Sequence, residues 1–194
     1  MSTSPSGRLI VISGPSGVGK TSIVDSVLEL TLSVFSVSAT TRNARLGEVD
    51  GVDYHFVDES SFKEKVDSGE ILEWAEYSGN FYGTLRSSVL PILESGRNVI
   101  LDIENEGAKQ IRESCPQALL IFVAPPDLET LAKRLAGRGD TAQSDMALRL
   151  AVAGEQIAEA PAVYDHIVEN ADLGHATKEV LDIVGAEGTV FPVQ

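Results

Sequence analysis

Short runs of consecutive apolar residues recur along the chain and alternate with stretches of helical spacing. Four runs rich in Val, Ile and Leu predict strands at 9–13, 98–102, 119–124 and 166–168. Near-continuous apolar runs of this kind are typical of strands that are covered on both faces. The alternation of strand-like and helix-like segments therefore favours an α/β fold with a parallel central sheet.

The segments with helical spacing have recognisable ends. Asp127 is a capping residue before an amphipathic stretch, and Gly137 follows that stretch as a terminator. Pro161 is expected to end the last of these segments, because proline interrupts helical hydrogen bonding. The predicted helices cover residues 21–30, 60–68, 127–136 and 144–158.

Two regions interrupt this alternation. Short stretches with a period of two, separated by turn residues, predict a small and partly antiparallel sheet within residues 38–85. A pair of helices forms a second insertion at 126–159. We therefore expect one domain over residues 8–184, with a core made of 8–37, 86–125 and 160–184.

Composition narrows the class of protein. The chain has 194 residues, of which 43% are hydrophobic, and a formal net charge of −14. An acidic surface argues against broad nucleic-acid contacts and against binding to anionic membranes. A single cysteine, Cys115, fits a reducing compartment. No apolar run approaches the ~20 residues of a membrane span, and the first residues lack a signal-peptide pattern, so we expect a cytoplasmic protein.

The segment from Gly14 to Thr21 fits the phosphate-loop pattern G-x-x-x-x-G-K-[ST]. It lies between a predicted strand and a predicted helix, where backbone N–H groups and the helix N-terminus form a cradle for anions. Lys20 would reach the β- and γ-phosphates of a nucleotide, and the Thr21 hydroxyl would bind Mg²⁺. The residues expected to bind nucleotide phosphates are Gly14, Pro15, Ser16, Gly17, Val18, Gly19, Lys20 and Thr21.

A second basic segment follows at 38–45. Arg42 and Arg45 place two guanidinium groups close together, and guanidinium groups match phosphate oxygens in a bidentate way. Tyr54 and Tyr82 flank the same insertion and would donate hydroxyls to the same phosphate. The alternative interpretation is an exposed basic turn with ordinary tyrosines nearby.

Three carboxylates lie in apolar surroundings. Asp102 ends a predicted strand, and Glu104 two residues later is expected on the same face of that strand. In phosphate-loop enzymes an acid at this position helps to hold the metal or its waters. Glu73 lies in the apolar stretch 71–74, where a carboxylate needs hydrogen-bond donors such as those of a nucleobase. The competing interpretations are a strand-end cap for Asp102 and a surface glutamate for Glu73.

With these residues in order, the chain closely resembles the guanylate kinase family from about residue 8 to residue 184. The resemblance rests on separated motifs at 14–21, 36–45, 47–54, 73–74, 79–84, 101–103 and 164–170. It implies a P-loop kinase fold with a GMP-binding insertion at 38–85 and a helical lid at 126–159. The implied reaction is ATP + GMP ⇌ ADP + GDP, with dGMP as a further acceptor and Mg²⁺ bound with ATP.

The resemblance also implies roles for individual residues. Thr21 and Asp102 would serve the metal, and Arg134 would reach the transferring group from the lid. The residues implied in catalysis are Lys20, Arg45, Arg138 and Arg149. Those implied in GMP binding are Ser38, Arg42, Arg45, Tyr54, Glu73, Tyr82, Thr84, Asp102 and Glu104.

Some positions depart from the family's usual pattern. Glu104 and Glu106 occupy positions where the family usually has aspartate and glutamine, and Leu148-Arg149 stands where two basic residues are common. Two alternative functions stay open: a guanylate-kinase-like protein-binding module, and a kinase that acts on a phosphorylated sugar. The intact Lys20 argues against the first and the complete set of GMP residues against the second. An N-K-x-D-like segment, expected of a GTPase, is missing from the sequence.

Overall fold

A computed structural model describes residues 7–77, 79–137 and 143–187 of the chain. The strands, numbered along the chain, are β1 (Leu9–Ser13), β2 (Val34–Phe35), β3 (Ala39–Thr40), β4 (His55–Phe56), β5 (Ile71–Tyr77), β6 (Asn80–Leu85), β7 (Val99–Asp102), β8 (Leu119–Ala124) and β9 (His166–Glu169). The helices are α1 (Lys20–Leu30), α2 (Glu59–Asp67), α3 (Arg86–Glu94), α4 (Asn105–Ser114), α5 (Leu128–Ala136), α6 (Gln143–Val163) and α7 (Leu173–Glu187).

The central sheet has five parallel strands in the order β2-β7-β1-β8-β9. Successive residues of β1 point to opposite faces: Leu9 and Val11 pack into one apolar cluster, and Ile10 and Ile12 into another. Every residue of β1 and β8 is buried, as the continuous apolar runs predict. The predicted parallel sheet is confirmed, and β2, which was not among the four predicted central strands, adds a short edge strand.

The two faces of this sheet are covered by different helices. Helices α1 and α7 pack on the face that includes Ile10 and Ile12. Helices α3, α4 and α6 cover the opposite face through side chains that include Val89, Ile111 and Ala160. Each fully buried Val, Leu or Ile side chain contributes roughly 1.5–3 kcal/mol relative to an exposed one, so this double layer is the main source of stability.

A second, four-stranded sheet lies between β2 and α3 along the chain, in the order β4-β3-β6-β5. Pairs β3–β6 and β5–β6 are antiparallel, whereas β3–β4 is parallel, which confirms the predicted partly antiparallel sheet. Its small core contains Ala39, Phe62 and Ile71, and the rings of Phe62 and Phe81 stack with centroids 5.6 Å apart. Strand β5 forms one edge of this sheet.

Helix α6 differs from its prediction because it continues through Pro161 to Val163. Proline removes one helical N–H donor, which normally ends a helix. Here the buried Ala160 and the partly buried Val163 pack against the central sheet. Tertiary packing therefore outweighs the local cost of the proline.

The prediction that Asp102 and Glu104 share one face of a strand is wrong. Strand β7 ends at Asp102, which lies opposite Ile12 of β1, and Glu104 is the N-cap residue of α4. The chain leaves the sheet at Ile103, whose carbonyl accepts a hydrogen bond from the Ser13 hydroxyl at 2.7 Å. Helices α3, α4 and α7 were not predicted. In the described part of the chain, no helix is both long and apolar enough to span a membrane.

Candidate active site

The loop between β1 and α1 approaches its neighbours so closely that glycine is required. Gly14 has φ 148° and Gly19, the N-cap residue of α1, has φ 98°, both of which disfavour larger residues. A Cβ atom on Gly14 would lie 2.3 Å from the Val123 carbonyl oxygen. The loop is thus pressed against the end of β8, with the first turn of α1 directly behind it.

Lys20 is held over the carboxyl ends of β1 and β7. Its Nζ atom lies 3.0 Å from Asp102 Oδ1 and donates to the Gly14 carbonyl at 3.2 Å. The two strands are parallel neighbours, so their ends bring the loop lysine and the strand-end acid together. Thr21 follows in the first turn of α1 and is exposed.

The back of the loop is fixed by two residues from later in the chain. The Val18 carbonyl accepts hydrogen bonds from Asn170 Nδ2 at 2.8 Å and from Arg134 Nη1 at 3.2 Å. Arg134 Nη2 also donates to the Asn170 carbonyl at 2.9 Å. In this structure Arg134 therefore supports the loop. Sequence reasoning missed Asn170 because nothing local to it marks a contact with Val18.

Arg42 is the centre of an aromatic and acidic cluster. Its two terminal nitrogens donate to the two carboxylate oxygens of Glu48 at 3.0 and 2.9 Å. The guanidinium carbon lies 5.4 Å from the ring centroid of Tyr54, and Tyr54 and Tyr82 meet edge to face at 6.0 Å. Three of the predicted phosphate-binding residues, Arg42, Tyr54 and Tyr82, are thus brought together.

The ion pair between Arg42 and Glu48 shifts the pKa of both side chains. Hydrogen bonding to Glu48 raises the pKa of Arg42, with a further contribution from the Tyr82 side chain. The bond from Arg42, followed by that from the Arg45 backbone N–H, lowers the pKa of Glu48. Glu48 lies within the motif at 47–54, and sequence reasoning assigned it no role. Its position between the two arginines and Tyr54 was the available signal.

The other residues of this segment are less enclosed. Arg45 is exposed, and its backbone N–H donates to Glu48 at 2.7 Å. Ser38 is partly buried just before β3, and its carbonyl accepts from the His55 N–H at 2.9 Å. Arg45 therefore lies on the same β3–β4 connection as Arg42, whereas Ser38 lies on the other side of β3.

Glu73 is a buried carboxylate with a defined partner. It is 3% exposed, and its Oε1 accepts a hydrogen bond from the Thr84 hydroxyl at 2.6 Å. Thr84 lies directly opposite on β6, and the register of the strand pair shifts between Ile71 and Glu73, as at a β-bulge. Burial raises the pKa of Glu73, and the hydroxyl and backbone N–H of Thr84 offset part of that rise.

Glu104 faces the second insertion. It is exposed at the start of α4, and its Oε2 accepts from Gln156 Nε2 of α6 at 3.0 Å. Arg149 lies earlier on α6 and is partly buried, beside the exposed Leu148. Arg138 lies outside the described residues.

The site offers oxygen ligands for a metal but no enclosed metal centre. Within the described ranges, no group of three or more His, Cys, Asp or Glu side chains could hold an ion. Oxygen donors near the loop include the Thr21 hydroxyl and the Asp102 carboxylate. Such a set suits Mg²⁺ that arrives with nucleotide phosphates, because Mg²⁺ is commonly bound by one or two protein oxygens together with phosphates and waters.

Comparisons with known proteins show which family the chain belongs to. A sequence model described as guanylate kinase matches residues 6–187. The chain belongs to the guanylate kinase family. It is accordingly a kinase of the P-loop fold that acts on a nucleoside monophosphate.

Individual relatives match almost end to end. The guanylate kinase of Symbiobacterium thermophilum is 46% identical over 188 residues, which cover 96% of this chain and 89% of that protein. The guanylate kinase of Clostridioides difficile is 43% identical over 93% of this chain and 88% of its own length. The structure also resembles the crystal structure of guanylate kinase from Anaplasma phagocytophilum, with a TM-score of 0.75 and 34% sequence identity. The match covers 95% of this chain and 87% of the Anaplasma chain.

Proposed function

We propose that this guanylate kinase family member transfers the γ-phosphoryl group of ATP to GMP and to dGMP. The observation that carries the choice of acceptor is the buried carboxylate of Glu73, bonded to Thr84. The phosphate loop is common to many kinases, whereas a buried acceptor on the second sheet selects the base. Acceptor and donor are thus assigned by different parts of the chain.

Hydrogen-bond direction explains the preference for guanine. The Watson–Crick edge of guanine presents N–H donors, which an ionised Glu73 accepts. Adenine presents an unprotonated ring nitrogen at that position, so a carboxylate would face another acceptor. Sites that rely on such pairs discriminate by about 10⁴ or more. The proposed base-binding set also includes Ser38, Thr84, Asp102 and Glu104.

The GMP phosphate is assigned to the Arg42 cluster. Arg42, Arg45 and Tyr54, on the connection between β3 and β4, and Tyr82, on β6, offer guanidinium and hydroxyl donors. The bidentate pair with Glu48 orients the Arg42 guanidinium before substrate arrives. A preformed fork lowers the ordering cost of binding a phosphate.

The ATP phosphates are assigned to the loop at 14–21, with Lys20 on the β- and γ-phosphates. The acceptor phosphate has a second pKa of about 6, so it is mostly dianionic near neutral pH and needs no general base. The main obstacle is repulsion between two anions. Lys20 and the lid arginines Arg138 and Arg149 offset that repulsion and stabilise charge on the transferring group.

Thr21 and Asp102 would hold Mg²⁺ at the donor phosphates. The bound ion would neutralise charge on the β- and γ-oxygens. Asp102 contacts Lys20 at 3.0 Å, so the same carboxylate orients the loop lysine. Metal binding and lysine placement therefore depend on one side chain.

We further propose that residues 38–85 form the GMP-binding insertion and 126–159 the lid, around a core of 8–37, 86–125 and 160–184. Closure of both would align donor and acceptor and exclude water, which otherwise competes for the phosphoryl group. The free thiol of Cys115 supports a reducing compartment, the cytoplasm.

A coupled assay of ADP formation tests the assignment. With ATP and Mg²⁺, we expect efficient turnover on GMP and dGMP and at least about 10⁴-fold lower kcat/KM on AMP. Ribose phosphates without a base should be very poor acceptors. Comparable rates on AMP, or on a phosphorylated sugar, would overturn the proposal.

A further inference from the structure

Gly107 occupies an ordinary helical position in α4, where glycine is not required by the backbone. It is buried, and its φ is not in the left-handed region that only glycine visits readily. Glycine inside a helix costs stability relative to alanine. Its presence therefore needs another explanation.

Space for the Glu73 carboxylate supplies that explanation. A Cβ atom on Gly107 would lie 2.3 Å from Glu73 Oε2 and 3.1 Å from Glu73 Cδ. Such distances are far below van der Waals contact, and the carboxylate would have to move by about 1 Å. The missing side chain at Gly107 thus leaves the space that the Glu73 carboxylate occupies.

Gln110 lies three residues later on α4 and contacts the residue that follows Glu73. Its Oε1 accepts from the Trp74 N–H at 3.0 Å, and its Nε2 donates to the Trp74 carbonyl at 2.7 Å. The Gln110 amide therefore makes with the Trp74 N–H and C=O the two hydrogen bonds that a neighbouring strand would otherwise make. Because β5 is the edge of its sheet, these bonds fix an otherwise open position.

We propose that Gly107 and Gln110 are positioning residues that set the depth and alignment of Glu73, and hence determine selectivity for guanine. Gly107 sets how far the carboxylate retreats towards α4, and Gln110 fixes the adjoining backbone of β5. This inference rests on the proposed role of Glu73 in base binding. Neither residue is placed in contact with substrate.

A merely structural role predicts different behaviour. If Gly107 only packed the helix against β5, alanine would alter stability while GMP and ATP parameters stayed together. A positioning role predicts a selective loss for GMP, because the ATP loop lies on other elements. The split between the two substrates separates the interpretations.

The first experiment compares Gly107→Ala with Gly185→Ala. Gly185 is also helical, in α7, and a Cβ atom there would meet nothing within 4 Å. We expect Gly107→Ala to lower kcat/KM for GMP by roughly 10²-fold, the cost of a misplacement of about 1 Å. The KM for ATP should stay at the parent value, and Gly185→Ala should match the parent for both substrates.

The second experiment uses Gln110, a partly exposed residue whose replacement leaves the apolar core intact. Gln110→Ala removes both bonds to Trp74 and should lower kcat/KM for GMP about tenfold with an unchanged KM for ATP. Ser114→Ala on the same helix is the control, since within the described residues the Ser114 hydroxyl donates to the Gln110 carbonyl of α4 and to its neighbour Cys115, and not to β5. This variant keeps the inference testable if Gly107→Ala fails to fold.

Glu73→Gln separates the two levels of the argument. If Glu73→Gln leaves GMP selectivity unchanged, the base-binding role of Glu73 is wrong and the inference falls with it. If Glu73→Gln abolishes selectivity but Gly107→Ala and Gln110→Ala both behave as their controls, only the positioning inference is overturned. Selective loss of GMP in either positioning variant supports it.

Discussion

Lys109 Nζ on α4 lies 3.0 Å from Glu159 Oε2 on α6, and the same ammonium lies 2.7 Å from Glu106 Oε1. Helix α4, which packs against Glu73, is thereby joined to α6, the second helix of the proposed lid. Hydrogen bonds to Glu106 and then Glu159 raise the pKa of Lys109. The extra negative charge at Glu106, unusual for the family, is matched by this lysine.

Glu106→Gln should therefore be nearly neutral. Lys109 keeps its partner on α6, and Glu106 is exposed and turned towards Lys109. We expect kcat/KM for GMP to stay within about a factor of two of the parent, as for surface substitutions in general. A loss of tenfold or more in steady-state kinetics would mean that Glu106 acts on the substrate.

Lys20→Ala should abolish phosphoryl transfer while the protein stays folded. The lysine contributes charge at the donor phosphates, whereas the surrounding core is apolar and independent of it. We expect turnover to fall by at least about 10³-fold in the coupled assay. Circular dichroism should show retained secondary structure.

Lys63→Ala provides the matched control, because Lys63 lies on α2 and, among the residues that the structure describes, contacts its own helix neighbour Glu59 and the Phe81 ring. It should keep parental activity. Full turnover in Lys20→Ala would refute the assignment of the loop.

Arg42→Lys should affect GMP much more than ATP. Lysine keeps the charge but cannot reproduce the fork that engages Glu48 and, in our proposal, a phosphate. We expect the KM for GMP to rise about tenfold or more with the KM for ATP unchanged. Arg97→Ala is the control, because Arg97 precedes β7 at the end of that strand away from Asp102. Equal changes in both KM values for Arg42→Lys would show that the phosphate contact is misplaced.

GMP binding should weaken on acidification earlier than an ordinary glutamate predicts. Burial raises the pKa of Glu73 above its usual 4.5, and protonation turns one of its acceptor oxygens into a donor, which opposes guanine N–H groups. The KM for GMP should therefore rise as pH falls through a value above 4.5. Titration of the GMP phosphate contributes too, so the profile is compared with that of Glu73→Gln. Superimposable profiles would exclude Glu73 as the titrating group.

The same shift has a consequence for the unliganded protein. Between the unfolded pKa of 4.5 and the higher folded value, the folded state binds more protons, so the free energy of unfolding falls as pH rises through that window. Glu73→Gln removes this loss. We expect its melting temperature relative to the parent to be higher at neutral pH than below pH 4.5. A pH-independent difference in thermal melts would contradict this.

Local sequence sufficed for the central sheet and the loop. Strands β1 and β8 were predicted at their observed bounds, because continuous apolar runs have few other solutions in a chain of this length. Asp127 caps α5 as predicted, through a hydrogen bond from the Thr130 N–H. These features depend on neighbours in the chain.

Features that depend on distant contacts were not predictable. Strict alternation places Glu73 on the same face as Ile71, but the register shift turns Glu73 towards α4 together with Leu72. The contacts of Gln110 with Trp74 and of Asn170 with Val18 join residues far apart in sequence. A single sequence contains no pattern that encodes such pairs.

Two of the cations proposed to bind phosphate, Lys20 and Arg42, are already paired with the protein's own acids. Lys20 forms an ion pair with Asp102, and Arg42 forms one with Glu48. Any incoming ligand must therefore compete with a carboxylate, and a singly charged ligand gains little from that exchange. A phosphate with nearly two negative charges is attracted to Lys20 and Arg42 more strongly than a singly charged ligand is, so we expect these two ion pairs to favour strongly charged groups.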